Sequence, residues 1–223
     1  MPLHPWQAAI VDLDGTLVDT LGDFEVVLGR TLADLGLPPV SRAFIEHTVG
    51  QGTEHLLRSV LAQSQDAAGV EALFPQAWAR YGHHYPQVNG EFAAVYPGAL
   101  EGLQRLRAAG LPLACLTNKP TAFARVLLEK KGLLPHFVHV FGGDAFARKK
   151  PDPLPLLKTC EALGTPPGAT LMLGDSRNDA QAARAAGCPV VLVTYGYNHG
   201  EPVREVDADG WVDRLDALLL TPA

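Results

Sequence analysis

The chain has 223 residues, of which 47% are hydrophobic and 19% charged, so it can bury a core and form a main domain with a smaller insertion. Its formal net charge of −6 argues against nucleic acid as a partner, and an anionic substrate would need a local cationic site. No apolar run approaches the ~20 residues that cross a bilayer, and the first residues lack a signal-peptide pattern. We therefore expect a cytoplasmic protein whose partners include neither nucleic acid nor membrane.

The cysteines are three in number and widely spaced. This pattern favours buried thiols in a reducing compartment over a disulfide framework or a zinc site. We therefore expect no cysteine chemistry at Cys115, Cys160 or Cys188.

Five short apolar runs, each ending at turn residues, are typical of buried β-strands. Helical patterns fill the intervals between the later runs, and a glycine after each pattern is a helix-stop signal. This alternation predicts an α/β fold of three layers, Rossmann-like, in which a parallel sheet is covered on both faces and a ligand site lies at the carboxyl ends of the strands. The five runs are residues 8–11, 111–116, 138–141, 169–173 and 190–193.

The segment from about Thr20 to Phe92 differs, because it has helical periodicity and no strand run. We predict that residues 18–94 form an inserted helical domain, and that residues 1–17 and 95–223 form the core domain. Hinges are expected at Val18–Leu21 and Ala94–Gly98, and internal turns at residues 36–39 and at Tyr85-Pro86.

Asp12 and Asp14 follow the first strand and are separated by one residue. Gly15 permits a tight turn there, in which backbone amides can face an anion. An ionised carboxylate can act as a nucleophile without a base, whereas a carboxyl that protonates a leaving oxygen needs a raised pKa, which a neighbouring negative charge helps to supply. The two carboxylates could therefore take two roles, although an acidic turn that caps a helix would look the same.

Further polar groups follow later strands. Asp175 and Asp179 offer the hard oxygen ligands that Mg²⁺ prefers, but an acidic residue in the first turn of a helix is also stabilised by the helix dipole. Thr117 and Asn118 offer a hydroxyl and amides that suit a phosphoryl oxygen, or Thr117 is a simple helix-entry residue. Lys150 precedes a proline, which restricts its backbone to extended geometry.

Four short motifs occur in order: Asp12-x-Asp14-Gly15-Thr16, Leu116-Thr117-Asn118, Lys150-Pro151-x-Pro153 and Gly174-Asp175-Ser176-x-x-Asp179. Their order and spacing resemble those of phosphatases of the haloacid dehalogenase (HAD) superfamily, over nearly the whole chain. The helical insertion resembles the cap of the superfamily's first cap class, and Val11 stands where many members have phenylalanine. Secondary stretches resemble bacterial phosphoglycolate phosphatases, including Thr117-Asn118-Lys119-Pro120 and Thr194 to Gly200.

The resemblance implies a mechanism. Asp12 would attack phosphorus and become an aspartyl phosphate, and Asp14 would protonate the leaving alkoxide and then deprotonate water. The Asp12 carboxylate, the Asp14 backbone carbonyl and the Asp175 carboxylate would hold Mg²⁺. Asp179 would be a ligand through water or would orient Lys150. The groups expected to hold the phosphoryl oxygens are Thr117 and the amides of Leu13, Asp14 and Asn118.

The expected substrate is a small phosphate ester, 2-phosphoglycolate, hydrolysed to glycolate and phosphate by a monomer or homodimer. A related sugar-phosphate phosphatase or a phosphomutase is the alternative within the superfamily. A dehalogenase would not be expected to keep Asp14 and Asp175 together, and a non-catalytic phosphate-binding module would bind without turnover. Release of phosphate in the absence of a sugar would argue against the phosphomutase.

Substrate choice is assigned to the helical insertion, because the four motifs recognise only the phosphate. Gly50-Gln51-Gly52-Thr53 leads into a helical pattern, with Thr53 as the expected N-cap, and a helix N-terminus with free amides can bind a carboxylate. Local sequence alone fits an ordinary turn between helices. Because the segment resembles the substrate-facing cap loop of the family, we expect Gly50, Gln51, Gly52 and Thr53 to contact the substrate carboxylate, with Arg58 nearby.

Overall fold

A computed structural model of the protein describes residues 6–219. The helices in chain order are α1 (Leu21–Asp34), α2 (Arg42–Thr48), α3 (Thr53–Leu61), α4 (Ala67–Val88), α5 (Ala99–Ala108), α6 (Thr121–Lys130), α7 (Leu154–Leu163) and α8 (Arg177–Ala186). The strands are β1 (Ala8–Val11), β2 (Val18–Asp19), β3 (Ala94–Val95), β4 (Leu113–Leu116), β5 (His139–Phe141), β6 (Thr170–Gly174), β7 (Val190–Val193) and β8 (Gly210–Val212). Within this described range, no helix is long and apolar enough to span a bilayer.

Six parallel strands form the main sheet, in the order β5-β4-β1-β6-β7-β8, which confirms the predicted α/β fold. The chain runs outward from β1 through β4 to β5 and then returns to the other side of β1 with β6. In open parallel sheets, ligands bind at the carboxyl ends of the strands beside such a reversal. The edge strand β8 was not predicted, because Gly210-Trp211-Val212 is too short to give an apolar run.

Helices cover both faces of this sheet, because alternate strand residues point in opposite directions. In β1, Ala9 and Val11 belong to the hydrophobic core beneath α5 and α6, while Ile10 belongs to the core beneath α7 and α8. The same alternation continues in β6, where Leu171 and Leu173 face the first core and Met172 the second. The near-continuous apolar runs in the sequence follow from this burial on two sides.

Helices α1 to α4 share a hydrophobic cluster, which includes Phe24, Leu28, Leu57 and Tyr85 and to which Tyr197 also contributes. Two chain segments connect these helices to the sheet, and they pair as the antiparallel strands β2 and β3. We infer that α1 to α4 form the inserted cap domain and that this two-stranded ribbon is its boundary with the core. The expected hinges therefore overlap a pair of hydrogen-bonded strands.

The turn predicted at Tyr85-Pro86 is wrong, because both residues lie in the last turns of α4. A proline inside a helix removes one hydrogen bond and crowds the preceding turn. Here tertiary packing outweighs that cost: Tyr85 is 1% exposed, and its ring contacts Phe24 and Phe123. Pro75 lies in the same helix. The turn predicted at residues 36–39 does separate α1 from α2.

Hydrogen bonds to one buried carboxylate connect the two ends of the cap. Asp23, in the first turn of α1, accepts hydrogen bonds from the backbone amides of Gly90 (2.6 Å) and Phe92 (2.8 Å) in the segment that follows α4. Its side chain is fully buried. Burial raises the pKa of Asp23 even though these two amides favour its charged form.

We predict that Asp23→Ala lowers the free energy of unfolding by about 2–4 kcal/mol, because it leaves two amides without their acceptor. Urea denaturation of the purified protein measures this change. Glu25→Ala is the matched control on the same helix: its exposed pair with Arg42 is worth less than about 1 kcal/mol. Equal losses in the two variants would show that Asp23 carries no special share of cap stability.

Candidate active site

Three adjacent strands end at one place on the sheet. Since β1 lies between β4 and β6, the residues that follow them, Asp12, Thr117 and Asp175, meet at the same edge. After β1 the chain turns sharply at Gly15, whose φ of +85° favours glycine. The turn brings Thr16 beneath the site, where its hydroxyl donates a 2.8 Å hydrogen bond to Asp175.

A cluster of carboxylates surrounds one ammonium group. Asp12, Asp175 and Asp179 each place an oxygen within 4.8 Å of the others. The buried Lys150 ammonium lies 3.0 Å from Asp12 and 2.7 Å from Asp179, and it also donates to the carbonyl of Leu116 at 2.9 Å. The cluster therefore contains three potential negative charges and one positive charge.

Burial and mutual repulsion shift the pKa values in this cluster. Burial raises the pKa of Asp12 to about 7, with Lys150 acting to lower it and Asp179 to raise it further. Burial, followed by the charges of Asp179 and Asp12, raises the pKa of Asp175 well above its ordinary value. Burial disfavours the charged form of Lys150, but the two neighbouring aspartates outweigh this effect and raise its pKa.

The cluster fits a divalent cation. With all three carboxylates ionised, Lys150 leaves two negative charges without compensation, and hard oxygen donors of this kind are the ligands of Mg²⁺. Oδ1 of Asp12 is buried and, within residues 6–219, has no hydrogen-bond donor in addition to its ion-pair contact with Lys150. Asp175 is held in place by Thr16 and by the amide of Tyr197, which donates at 2.6 Å.

Asp179 is occupied by its neighbours through both oxygens. Oδ1 accepts from Lys150, and Oδ2 accepts from the amides of Asp175 and Ser176 and from the Ser176 hydroxyl. The side chain therefore caps α8 and holds Lys150 at the same time. The sequence left open whether Asp179 stabilises the start of a helix or serves the carboxylate site, and its side chain does both.

Thr117 and Asn118 follow β4, on the side of β1 away from Asp175. In the described part of the chain, the N–H groups of Asp14 and Asn118 have no backbone acceptor, so they are available to an anion. The side-chain amide of Asn118 donates to the carbonyls of Gly50 (2.9 Å) and Lys150 (2.8 Å). Asn118 therefore also joins the core to the cap.

Lys119 is a residue whose position the sequence did not reveal. Its side chain is 3% exposed, and its ammonium lies 3.0 and 3.2 Å from the two oxygens of Asp14. The same ammonium lies over the rings of Phe24 and Tyr85 in the cap, 4.9 and 5.1 Å from their centroids. Lys119 precedes Pro120 as Lys150 precedes Pro151, and this shared Lys-Pro pattern was the available signal.

The cap loop reaches this site only in part. Gly50, Gly52 and Thr53 line a cavity that they share with Asp12 and Thr117. Gln51 is exposed and lies outside the lining. Arg58 also lies elsewhere, because it pairs with Glu54 and Glu71 and stacks on the ring of Phe74.

The prediction of Thr53 as N-cap is wrong. The N-cap of α3 is Gly52, and Thr53 is the first residue of the helix. The reason is conformational: Gly52 has a φ of +94°, which L side chains rarely adopt, so the chain enters the helix one residue earlier than a threonine cap would allow.

Comparisons with known proteins agree with this geometry. The family model of haloacid dehalogenase-like hydrolases matches residues 6–187. The phosphoglycolate phosphatase of Thiobacillus denitrificans is 44% identical over 221 residues, which cover 98% of this chain and 97% of that protein. The plasmid-encoded phosphoglycolate phosphatase of Cupriavidus necator is 43% identical, with coverage of 98% and 95%.

A solved structure shares the whole architecture. The crystal structure of a predicted phosphoglycolate phosphatase from Haemophilus somnus superposes with a TM-score of 0.89 at 30% identity, and 96% of each chain is covered. The sequence match, the shared fold and the expected family resemblance therefore agree. The chain belongs to the haloacid dehalogenase-like hydrolases, as a phosphoric monoester hydrolase.

Proposed function

We propose that the protein hydrolyses 2-phosphoglycolate to glycolate and phosphate, with Mg²⁺ as cofactor and an aspartyl phosphate on Asp12 as intermediate. The observation that carries the proposal is the contact of Asp12 with a buried ammonium inside a carboxylate cluster. The names of the relatives, which share more than 40% identity with this chain, support the choice of substrate.

Asp12 has the position of a nucleophile. Its Oδ1 lies 3.0 Å from the Lys150 ammonium, and the residue lines the cavity that opens to the cap. A carboxylate and a phosphate dianion repel each other, by roughly 1 kcal/mol per pair of unit charges at 4 Å in water and about 4 kcal/mol at an effective dielectric of 20. The Lys150 ammonium opposes this repulsion at the point where the two anions must meet.

Asp14 is the proposed acid and base. It lines the same cavity as Asp12, so it can protonate the leaving oxygen and then accept a proton from the attacking water. Thr117 and the amides of Leu13, Asp14 and Asn118 are the proposed donors to the phosphoryl oxygens. Donors fixed in advance by the fold stabilise the charge of a phosphoryl transition state without reorganisation.

The metal site is proposed at the carboxylates of Asp12 and Asp175 and the backbone carbonyl of Asp14, with Asp179 holding Lys150 beside it. Mg²⁺ bound there would neutralise the phosphate and the nucleophile. Thr16 and the amide of Tyr197 keep Asp175 oriented toward this position.

The cap is proposed to select the substrate. Gly50, Gly52 and Thr53 line the cavity. They lie at the N-terminus of α3, where free backbone N–H groups and the helix dipole favour an anion. Gln51 lies between Gly50 and Gly52 in this loop, and its side chain is exposed. We propose that the loop approaches the carboxylate of phosphoglycolate when the cap is closed.

The nucleophile is tested by Asp12→Asn, which keeps the shape of the side chain and removes its charge. We expect turnover of 2-phosphoglycolate to fall by about 10³-fold or more, while the melting temperature is retained. Asp66→Asn, at an exposed N-cap outside the cavity lining, is the control and should leave turnover unchanged. Activity within about tenfold of wild type, a loss of only ~1.4 kcal/mol, would remove Asp12 from this role.

The metal site is tested by Asp175→Ala. Loss of one carboxylate ligand should weaken Mg²⁺ binding by about tenfold or more, so that part of the lost activity returns at high Mg²⁺. Titration calorimetry of Mg²⁺ measures binding directly, without turnover. Asp144→Ala, which removes an exposed carboxylate bonded to Thr121, is the control. Unchanged Mg²⁺ affinity in Asp175→Ala would place the metal elsewhere.

The cap loop is tested by Gly52→Val. The positive φ and the Lys149 ammonium, 3.1 Å from where a Cβ would stand, mean that valine must shift the loop. We expect kcat/KM for 2-phosphoglycolate to fall at least about tenfold more than kcat/KM for phenyl phosphate, which has no carboxylate. Gly36→Val is the control, since it also has a positive φ in the cap but open space around it. Equal losses for both substrates would limit the loop to cap structure.

A further inference from the structure

Three side chains outside the four motifs and the Gly50 to Thr53 loop bring polar groups to the lining of the cavity between core and cap: Lys119 from the core, and Tyr81 and Tyr85 from the cap. Of the two tyrosines, Tyr85 is the one whose hydroxyl is buried without a hydrogen-bond partner in the described range. Of the described residues that line this cavity, Lys119 is the one cation. The remaining cap wall is largely apolar, with Phe24, Val49 and Leu56.

Tyr85 is a buried donor without an acceptor. Its side chain is 1% exposed, and within residues 6–219 its hydroxyl has no hydrogen-bond partner. An unpaired buried hydroxyl costs free energy, so its presence at a cavity wall points to an acceptor that arrives with a ligand. Burial, then the charges of Asp14 and Asp23, raises the pKa of Tyr85 well above its ordinary value, and the hydroxyl therefore keeps its proton.

Lys119 is buried in the same place with one partner of opposite charge. It contacts Asp14 through two of its three N–H donors, and its ammonium lies over the Tyr85 ring. A cation between aromatic faces and apolar walls interacts strongly with any further anion, because the local dielectric is low. Because Asp14 itself lines the cavity, its contact with Lys119 holds the Lys119 ammonium beside the cavity.

The chemistry of the substrate places its carboxylate at this point. In 2-phosphoglycolate, one methylene group separates the leaving-group oxygen from the carboxylate. Asp14 is the proposed donor to that leaving oxygen, and Lys119 contacts Asp14. A cation in contact with Asp14 is therefore within reach of a carboxylate one methylene away.

We propose that Lys119 and the Tyr85 hydroxyl together form the subsite that binds the substrate carboxylate, with the ammonium supplying the charge and the hydroxyl a hydrogen bond. This inference rests on the proposed function. The Gly50 to Thr53 loop is proposed to approach the same carboxylate through the uncharged backbone amides at the start of α3, so the charge must come from Lys119. Because one group belongs to the core and the other to the cap, the subsite is complete only when the two domains are together.

The test compares 2-phosphoglycolate with ethyl phosphate, which has the same two-carbon leaving group without the carboxylate, at saturating Mg²⁺. The wild-type protein should prefer 2-phosphoglycolate. Lys119→Met and Tyr85→Phe should each reduce the ratio of the two kcat/KM values by about tenfold or more, as expected for loss of a hydrogen bond to a charged group. Lys119→Gln, made in parallel, tests loss of the charge in a polar side chain.

Lys149→Met is the matched control. Lys149 is exposed and its ammonium approaches Gly52, a residue of the cavity lining, so it is the competing cation. Its loss should change the ratio by less than about threefold. A large change in Lys149→Met with an unchanged ratio in the Lys119 variants would overturn the assignment.

Two further measurements do not depend on turnover. Calorimetric binding of glycolate should weaken about tenfold in Lys119→Met and in Tyr85→Phe. The melting temperature of Tyr85→Phe should stay within about 2 °C of wild type or rise, because the removed hydroxyl has no partner in the folded protein. A marked fall in melting temperature with unchanged glycolate binding would show a structural role and contradict the subsite.

The outcomes separate this inference from the proposed function. A wild-type enzyme with no preference for 2-phosphoglycolate would overturn both. A wild-type preference that survives unchanged in Lys119→Met, Lys119→Gln and Tyr85→Phe would leave the proposed substrate in place and overturn the subsite.

Discussion

The site depends on the burial of three carboxylates around one ammonium at the point where the strand order of the sheet reverses. Burying like charges together costs several kcal/mol unless opposite charges or hydrogen bonds compensate. Lys150 compensates for one charge, and donors from Thr16, Ser176 and Tyr197 hold the carboxylates apart and oriented. The charge that remains is a driving force for binding a divalent cation, and it explains why this edge of the sheet suits phosphate chemistry.

The proposed chemistry and the proposed selectivity belong to different parts of the chain. The residues that would act on the phosphate follow core strands whose positions are fixed by burial on both faces. The groups that face the other end of the cavity come mainly from α3 and α4, which pack in a separate cluster. The cap and the core meet through polar and aromatic contacts, among them Asn118 with Gly50, Lys119 with Phe24, and Phe123 with Tyr85.

Much of this arrangement could be predicted from sequence because it depends on short-range patterns. The apolar run before Asp12 indicates a buried strand, and parallel strands bring their carboxyl ends together, so Asp12, Thr117 and Asp175 could be placed side by side. Tertiary contacts decided the rest: packing of Tyr85 keeps Pro86 inside α4, and the pairing of Lys119 with Asp14 joins residues 105 positions apart. No local pattern predicts that Tyr85-Pro86 is helical, and the Lys-Pro pattern singles out Lys119 without showing that its partner is Asp14.

The most direct test of the account is capture of the phosphorylated enzyme. Protein mixed with 2-phosphoglycolate and Mg²⁺ is quenched within a turnover and treated with borohydride, which reduces an acyl phosphate to an alcohol. Mass spectrometry of the peptide that contains Asp12 and Asp14 should then show homoserine at position 12 and unmodified aspartate at position 14. Homoserine at position 14, or no reduction anywhere during active turnover, would contradict nucleophilic attack by Asp12.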